Sequence, residues 1–439
     1  MSRKITVGAA LALALLLVAA SIPLTMIYAQ RQQNKLIPEL PKKLEEFGAL
    51  DEIQNKVNDH FYAKPAGDAV NAAMVRGYIA GLGDSSSRYL SAQEYQTYMD
   101  RLEGKAPELG LVMRYSPEEA GLVIDQVKAG STAAVSGLKP GDQIVKVESG
   151  GKALFNMPEV LAKDSTDALA KFGEATSVSV ETSSNAFTIT YKRKGTYQPP
   201  ANVMLGSAVS NISSDMMEAW AKQGETPLKT VGYIKIFHFF KNTAAQIEDA
   251  VKELSRQGAV SYIIDVRGCS EGNLEYACEA IDLFAYVTQD ARAMASVRYR
   301  DGTSAPKPAT ANNIMSYTTG GQVVVLINEH TSGVAELFAY DLHAYNATKV
   351  FLVGEHTKGV NTVQEPFSLA SVGGAALLTV GTVTPYGGDA AWNENGVQPN
   401  DPIPGTEKLD GVTYRISEPE LQLSGAIDIL TKPREKDAQ

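Results

Sequence analysis

Residues 323–364 read VVVLINEHTSGVAELFAYDLHAYNATKVFLVGEHTKGVNTVQ. The run 323–328 is short, apolar and rich in valine, which fits a buried strand. Residues 334–345 contain no glycine or proline and read as a helix, and 349–353 as the next strand. The same alternation extends upstream, with strands over 231–237 and 261–266 and helices over 243–257 and 274–286. Downstream, 377–383 reads as a strand and 419–431 as a closing helix. Alternating strands and helices of this kind predict an α/β layer architecture for residues 198–439.

The preceding segment, 105–197, is β-rich. Strands are expected at 109–113, 121–127, 143–147, 177–182 and 187–191, with a helix over 158–172. Gly137-Leu138-Lys139-Pro140-Gly141-Asp142 is a tight turn, preceded by Ala129-Gly130-Ser131 and Ala133. With Leu109-Gly110-Leu111, these residues resemble a PDZ domain. That resemblance implies binding of an extended peptide C-terminus as an added strand, with the carboxylate held by free N–H groups of the 109–111 loop. Gly110 lets the backbone approach it without a side chain.

Residues 31–104 read as helical: a polar stalk over 31–60, then two helices between 67 and 102 around the break Gly83-Asp84-Ser85-Ser86-Ser87. Ser91 and Glu94 form a capping-box pattern for the second. Ahead of these, Ile5 to Ala29 is an uncharged stretch of 25 residues behind Arg3 and Lys4. This length spans a hydrocarbon core of ~30 Å. Residues 1–30 are therefore expected to form a single-pass anchor with the N-terminus inside and the body extracytoplasmic. A cleaved signal peptide, leaving a secreted body, is the alternative.

Lys and Arg number 40 against 50 Asp and Glu, a net charge of −10. An acidic chain without clustered basic residues is a poor nucleic-acid binder. Two cysteines, Cys269 and Cys278, exclude a disulfide scaffold and a multi-cysteine zinc site, though one bridge between them stays open. The five histidines show no ligand spacing, so no metal and no cofactor is expected.

The whole order, from anchor through short helices and PDZ-like segment to α/β domain, resembles the C-terminal processing peptidases, serine peptidases with a Ser/Lys dyad. Leu82, Asp84, Ser87, Tyr89 and Leu90, the strand 263–267, Val325-Leu326-Ile327-Asn328-Glu329, Val353-Gly354-Glu355 and Asn395-Gly396-Val397 carry the resemblance. It implies a nucleophilic serine at a helix start and a lysine base oriented by a glutamine. Asn328, Thr331 and Glu336 fix the register and place Gly333 at the nucleophile position. In 354–364, Val360 stands at the lysine position, and Gln364 is retained. The loop implied to help form the oxyanion hole reads Arg267-Gly268-Cys269-Ser270-Glu271-Gly272, with Glu271 in place of a glycine.

The chain is therefore expected to be a pseudopeptidase. It would bind peptides or protein C-termini as an adaptor or regulator, with an active homologous protease among its partners. The alternative is an active endopeptidase with a displaced Ser332/Lys358 dyad, one residue and two residues away from the family positions. Otherwise Ser332 caps the helix and Lys358 is solvated. A cysteine nucleophile, Cys269 with His238 or His356, is a third arrangement.

Overall fold

The structure is a computed structural model. It describes residues 39–105, 109–116, 121–128, 131–158, 186–204, 211–215, 230–284, 293–308, 321–386, 395–399 and 419–431, with residues 160, 168 and 172. The expected anchor, the strand 177–182, and most of the helix expected over 158–172 lie outside them. Among the described residues no helix is long and apolar enough to cross a membrane. The chain divides into two units, 1–71 and 72–439. The first contains α1 (Glu39–His60), where the stalk was expected. Its Pro41 lies in the first turn, where a missing N–H costs no hydrogen bond. α2 (Gly67–Ala80) follows.

In the larger unit, β1 (Arg88–Leu90) leads into α3 (Ala92–Leu102). The expected capping box forms: Glu94 N–H donates to Ser91 Oγ at 3.2 Å, and Ser91 N–H to Glu94 Oε2 at 2.6 Å.

The β-rich domain contains β2 (Leu111–Ser116), β3 (Gly121–Val127), the short α4 (Thr132–Val135), β4 (Gln143–Ser149), β5 (Lys152–Asn156), β6 (Ala186–Arg193), β7 (Thr196–Tyr197) and β8 (Ala201–Met204). Its sheet runs β2-β3-β4-β6-β7, with β5 on β4 and β8 on β6, around a core that includes Leu122, Ile124, Ile144, Val147, Phe187 and Ile189. Among the described residues strand β2 stands at the end of the sheet, with a bulge between Val112 and Met113. Gly110, just before it, has φ +76, and a Cβ there would fall 2.3 Å from Ser131 Cβ. Gly110→Ala is accordingly expected to destabilise by about 2 kcal/mol or more, from the left-handed backbone alone plus the clash. A chemical-denaturation midpoint equal to wild type would refute this.

The α/β core is built from β9 (Ile212–Asp215), β10 (Val231–Ile236), α5 (Thr243–Arg256), β11 (Ser261–Asp265), α6 (Leu274–Asp282), β14 (Val323–Ile327), α7 (Val334–Tyr345), β15 (Val350–Gly354) and α8 (Pro419–Thr431). Its sheet runs β15-β14-β11-β10-β9, parallel except for β9. Successive residues face opposite sides. Val323, Val325 and Ile327 join Ile264, Leu352, Ile247, Ile281 and Phe338 in one cluster. Val324 and Leu326 join Ile263, Val353, Ala426 and Ile427 in another. Burial on both faces is why these strands read as unbroken apolar runs rather than alternations.

A second sheet runs β1-β17-β12-β13, with β16 (Thr362–Ser368) also on β17 (Ala375–Pro385). Here β12 is Ala293–Tyr299 and β13 Ser304–Pro308.

One acid in α7 is out of place for a helix core. Asp341 is buried, and its Oδ1 accepts from Tyr386 N–H at 3.0 Å. Its Oδ2 has no partner among the described residues. Burial pushes its carboxyl well above the ordinary carboxylate range. A raised pKa in the folded state means that stability is greatest below the unfolded pKa of ~3.9 and falls as pH rises towards the folded value. Asp341→Asn is expected to flatten that decline, as measured by thermal unfolding between acid and neutral pH. An unchanged slope would show that Asp341 is charged in the fold.

Candidate functional site

In parallel sheets, sites form where loops leave the carboxyl ends of adjacent strands. Asp265 is paired in register with Leu326, and Ile327 with Gly354, so the loops after β11, β14 and β15 leave side by side. Hydrogen bonds then tie the three together. Thr331 Oγ1 donates to the Val266 carbonyl at 3.0 Å, and Gly268 N–H donates to Asn328 Oδ1 at 3.0 Å. Ser332 N–H reaches the Cys269 carbonyl at 2.9 Å, and Lys358 N–H the Thr331 carbonyl at 3.0 Å.

Glu336 is the hub. Fully buried at the third position of α7, its carboxylate accepts from Gly333 N–H (2.8 Å), Gly359 N–H (2.7 Å), Val360 N–H (2.8 Å) and Thr357 Oγ1. Burial raises its carboxyl pKa, and the four donors pull back against that rise. Gly333 and Val360, 27 positions apart, thus meet on one oxygen. Sequence reasoning used Glu336 only as a register mark. Its place at the third residue of a helix was the available clue, since a Glu there can reach back to the cap N–H.

Gly333 occupies the N-cap of α7 with φ 63 and ψ −121. Ser332 is therefore not the cap, and the side-chain bond at this helix start is the one from Gly333 N–H to Glu336. The sharp strand–turn–helix passage from β14 to α7 has the form that lifts a nucleophile above a sheet, and such a turn is strained for any L side chain. Glycine removes that strain. A Cβ at 333 would meet no atom within 4 Å, so the position faces open space. Gly333→Ser is thus expected to fold but to lose about 1–3 kcal/mol through backbone strain alone. Equal stability by chemical denaturation would contradict the strained geometry.

The displaced groups do not form a pair. Ser332 is buried, Lys358 is exposed, and no hydrogen bond joins their side chains. Gln364 Nε2 donates to Thr362 Oγ1 at 2.9 Å on its own strand and lies 3.4 Å from Thr379 Oγ1, rather than contacting the Gly333 turn. Cys269 and Cys278 are both free and buried, so the optional disulfide is absent. Burial pushes the Cys269 thiol up to about 12, the reverse of an activated nucleophile. Neither candidate histidine is set up to deprotonate it. His238 stacks on Phe240, and His356 Nδ1 lies 3.0 Å from the Thr357 carbonyl.

On the loop after β11, Gly272 packs so closely that a Cβ would come 2.7 Å from both Val334 Cγ2 and Phe239 Cβ. Glu271 turns to Arg101 of α3, 2.5 Å away. Nothing in the sequence pointed to Arg101, which lies 170 residues upstream.

Residues 230–403 match peptidase family S41. The carboxy-terminal processing protease CtpA of Bacillus subtilis is 26% identical over 318 residues, covering 72% of this chain and 61% of that protein. This chain thus matches less than two thirds of the length of that relative. The carboxyl-terminal-processing protease of Picosynechococcus sp. is 25% identical over 354 residues, covering 81% and 77%. Among solved structures, the photosystem II D1 C-terminal processing protease superposes with a TM-score of 0.52 at 19% identity, covering 80% and 85% of the two chains; this likeness concerns the fold. The chain is thus similar to peptidase family S41 over residues 230–403, and to carboxyl-terminal processing proteases over most of its length.

Proposed function

We propose that this protein is a pseudopeptidase that binds protein C-termini or extended peptides through its β-rich domain. Residues 5–29 would anchor it to a membrane, and it would serve as adaptor or regulator of an active relative. The observation that carries the loss of activity is the Gly333–Glu336–Val360 junction. The nucleophile position has no side chain, the base position is aliphatic, and the N–H groups of both are spent on one buried carboxylate. Acyl transfer needs a nucleophile within ~2.6–3.2 Å of its base, and Ser332 and Lys358 share no such contact. Peptide binding is supported by the place of β2 at the end of its sheet among the described residues, and by Gly110 at its start, where a peptide could be added as a strand.

The test is incubation of the purified protein with casein and with a fluorophosphonate probe. No turnover and no labelling are expected, and Ser332→Ala and Lys358→Ala should change neither. Clear cleavage by wild type that disappears in Ser332→Ala would overturn the proposal. Peptides with free apolar C-termini are expected to bind the full chain and to weaken on amidation; equal binding of the amides would remove the carboxylate-holding loop.

A further inference from the structure

We infer that the loop after β11 borders a carboxylate-binding site, occupied in the resting chain by its own Glu271. Two side chains from separate segments, Arg101 and His238, approach that carboxylate. Arg101 Nη2 is 2.5 Å from Glu271 Oε2, and His238 Nδ1 is 3.9 Å from the same oxygen. Lys128, directly after β3, is buried with its Nζ 5.3 Å from the ring centroid of Phe237, the neighbour of His238.

The contact with Glu271 leaves the site unsatisfied. His238 is buried and its Nδ1 points at Glu271, yet 3.9 Å is too long for a hydrogen bond. No other described group partners that nitrogen. Burial, then the charges of Lys128 and Arg101, hold the imidazole well below its ordinary pKa, so it is neutral and can donate from Nδ1 as one tautomer. A carboxylate seated closer to His238 than Glu271 is would therefore meet both Arg101 and the unpartnered Nδ1.

Displacing Glu271 costs little. The side chains of Arg101 and Glu271 are 39% and 44% exposed, and ion pairs of that exposure contribute at most ~1 kcal/mol. The ligand class is thus a free carboxylate on a small or extended molecule, a peptide C-terminus above all. Lys128 N–H donates to the Gly110 carbonyl at 2.8 Å, so the site adjoins the 109–111 loop, but Arg101, His238 and Glu271 belong to other segments.

The experiment is isothermal titration of the full chain with N-acetyl-trialanine and with its C-terminal amide. Glu271→Gln, which removes the competing charge at an exposed position, is expected to bind the free acid at least 10-fold tighter than wild type. The amide should gain nothing. Adding Arg101→Gln should abolish the gain, and adding His238→Phe should reduce it several-fold. Glu271→Gly provides a second variant with the same expectation. Equal affinity of wild type and both Glu271 variants for the acid, or a gain indifferent to Arg101→Gln, would overturn the inference.

Discussion

Asp265→Asn is expected to lower stability by about 3–5 kcal/mol, the usual cost of leaving buried charge uncompensated. Asp265 is buried at the end of β11. It accepts from Tyr233 OH at 2.7 Å, Lys235 Nζ at 2.9 Å, and Arg267 through N–H at 2.9 Å, Nε at 3.0 Å and Nη2 at 2.6 Å. Asparagine would keep the shape but leave Lys235 and Arg267 facing each other as two cations. Burial works to raise the Asp265 carboxyl, but the charges of Lys235 and Arg267 outweigh it and hold the pKa well below the ordinary range. A depressed folded pKa contributes stability that is present above the unfolded value of ~3.9 and lost as pH falls below it. Chemical denaturation at neutral and acid pH should therefore show a large gap between wild type and variant at neutral pH that narrows in acid. A gap under ~1 kcal/mol at neutral pH would mean the charges are relieved by solvent.

Glu336→Ala is the second large effect, expected at about 3–5 kcal/mol. Four donors lose their acceptor at once, each worth roughly 1–3 kcal/mol when buried and unmet, less whatever water recovers. The distinguishing readout is amide hydrogen exchange. Gly333 belongs to one loop, and Gly359 and Val360 to another, but all three share one carboxylate. Their protection should fall together in the variant. Loss at Gly333 alone would show that Glu336 caps its helix without joining the loops.

The parallel strands were readable because burial on both faces leaves only apolar residues at 323–327 and 350–353, and the Ser91/Glu94 box because it is local. Gly333 and Val360 could be located by spacing from Asn328, Glu336 and Gln364. What spacing cannot convey is partnership across the chain. Ser332 was the natural cap candidate by residue type, but the backbone geometry gives the cap to Gly333. Glu336 reads as an ordinary helical glutamate until the 355–361 loop folds over it. Arg101 and Glu271 meet only once α3 lies against the core, and the orphaned Nδ1 of His238 exists only in that assembly. The two cysteines left a bridge open on paper; burial of both as thiols closes that option.

The small sheet has a consequence for synthesis. Arg88–Leu90 pairs with Ala375–Leu377, Tyr89 OH donates to the Gly373 carbonyl at 2.9 Å across 284 residues, and Thr379 N–H donates to Ser87 Oγ at 2.9 Å. A strand that leaves the ribosome early thus waits for a partner made near the end. At ~5–20 residues per second the wait is roughly 15 s to 1 min. During that interval β1 and the apolar surface around Ile79 and Tyr89 are uncovered while the intervening β-rich domain can already fold. A nascent chain stalled before residue 375 would expose this incomplete edge to chaperones and proteases, so quality control of this protein falls on the segment from residue 375 onward.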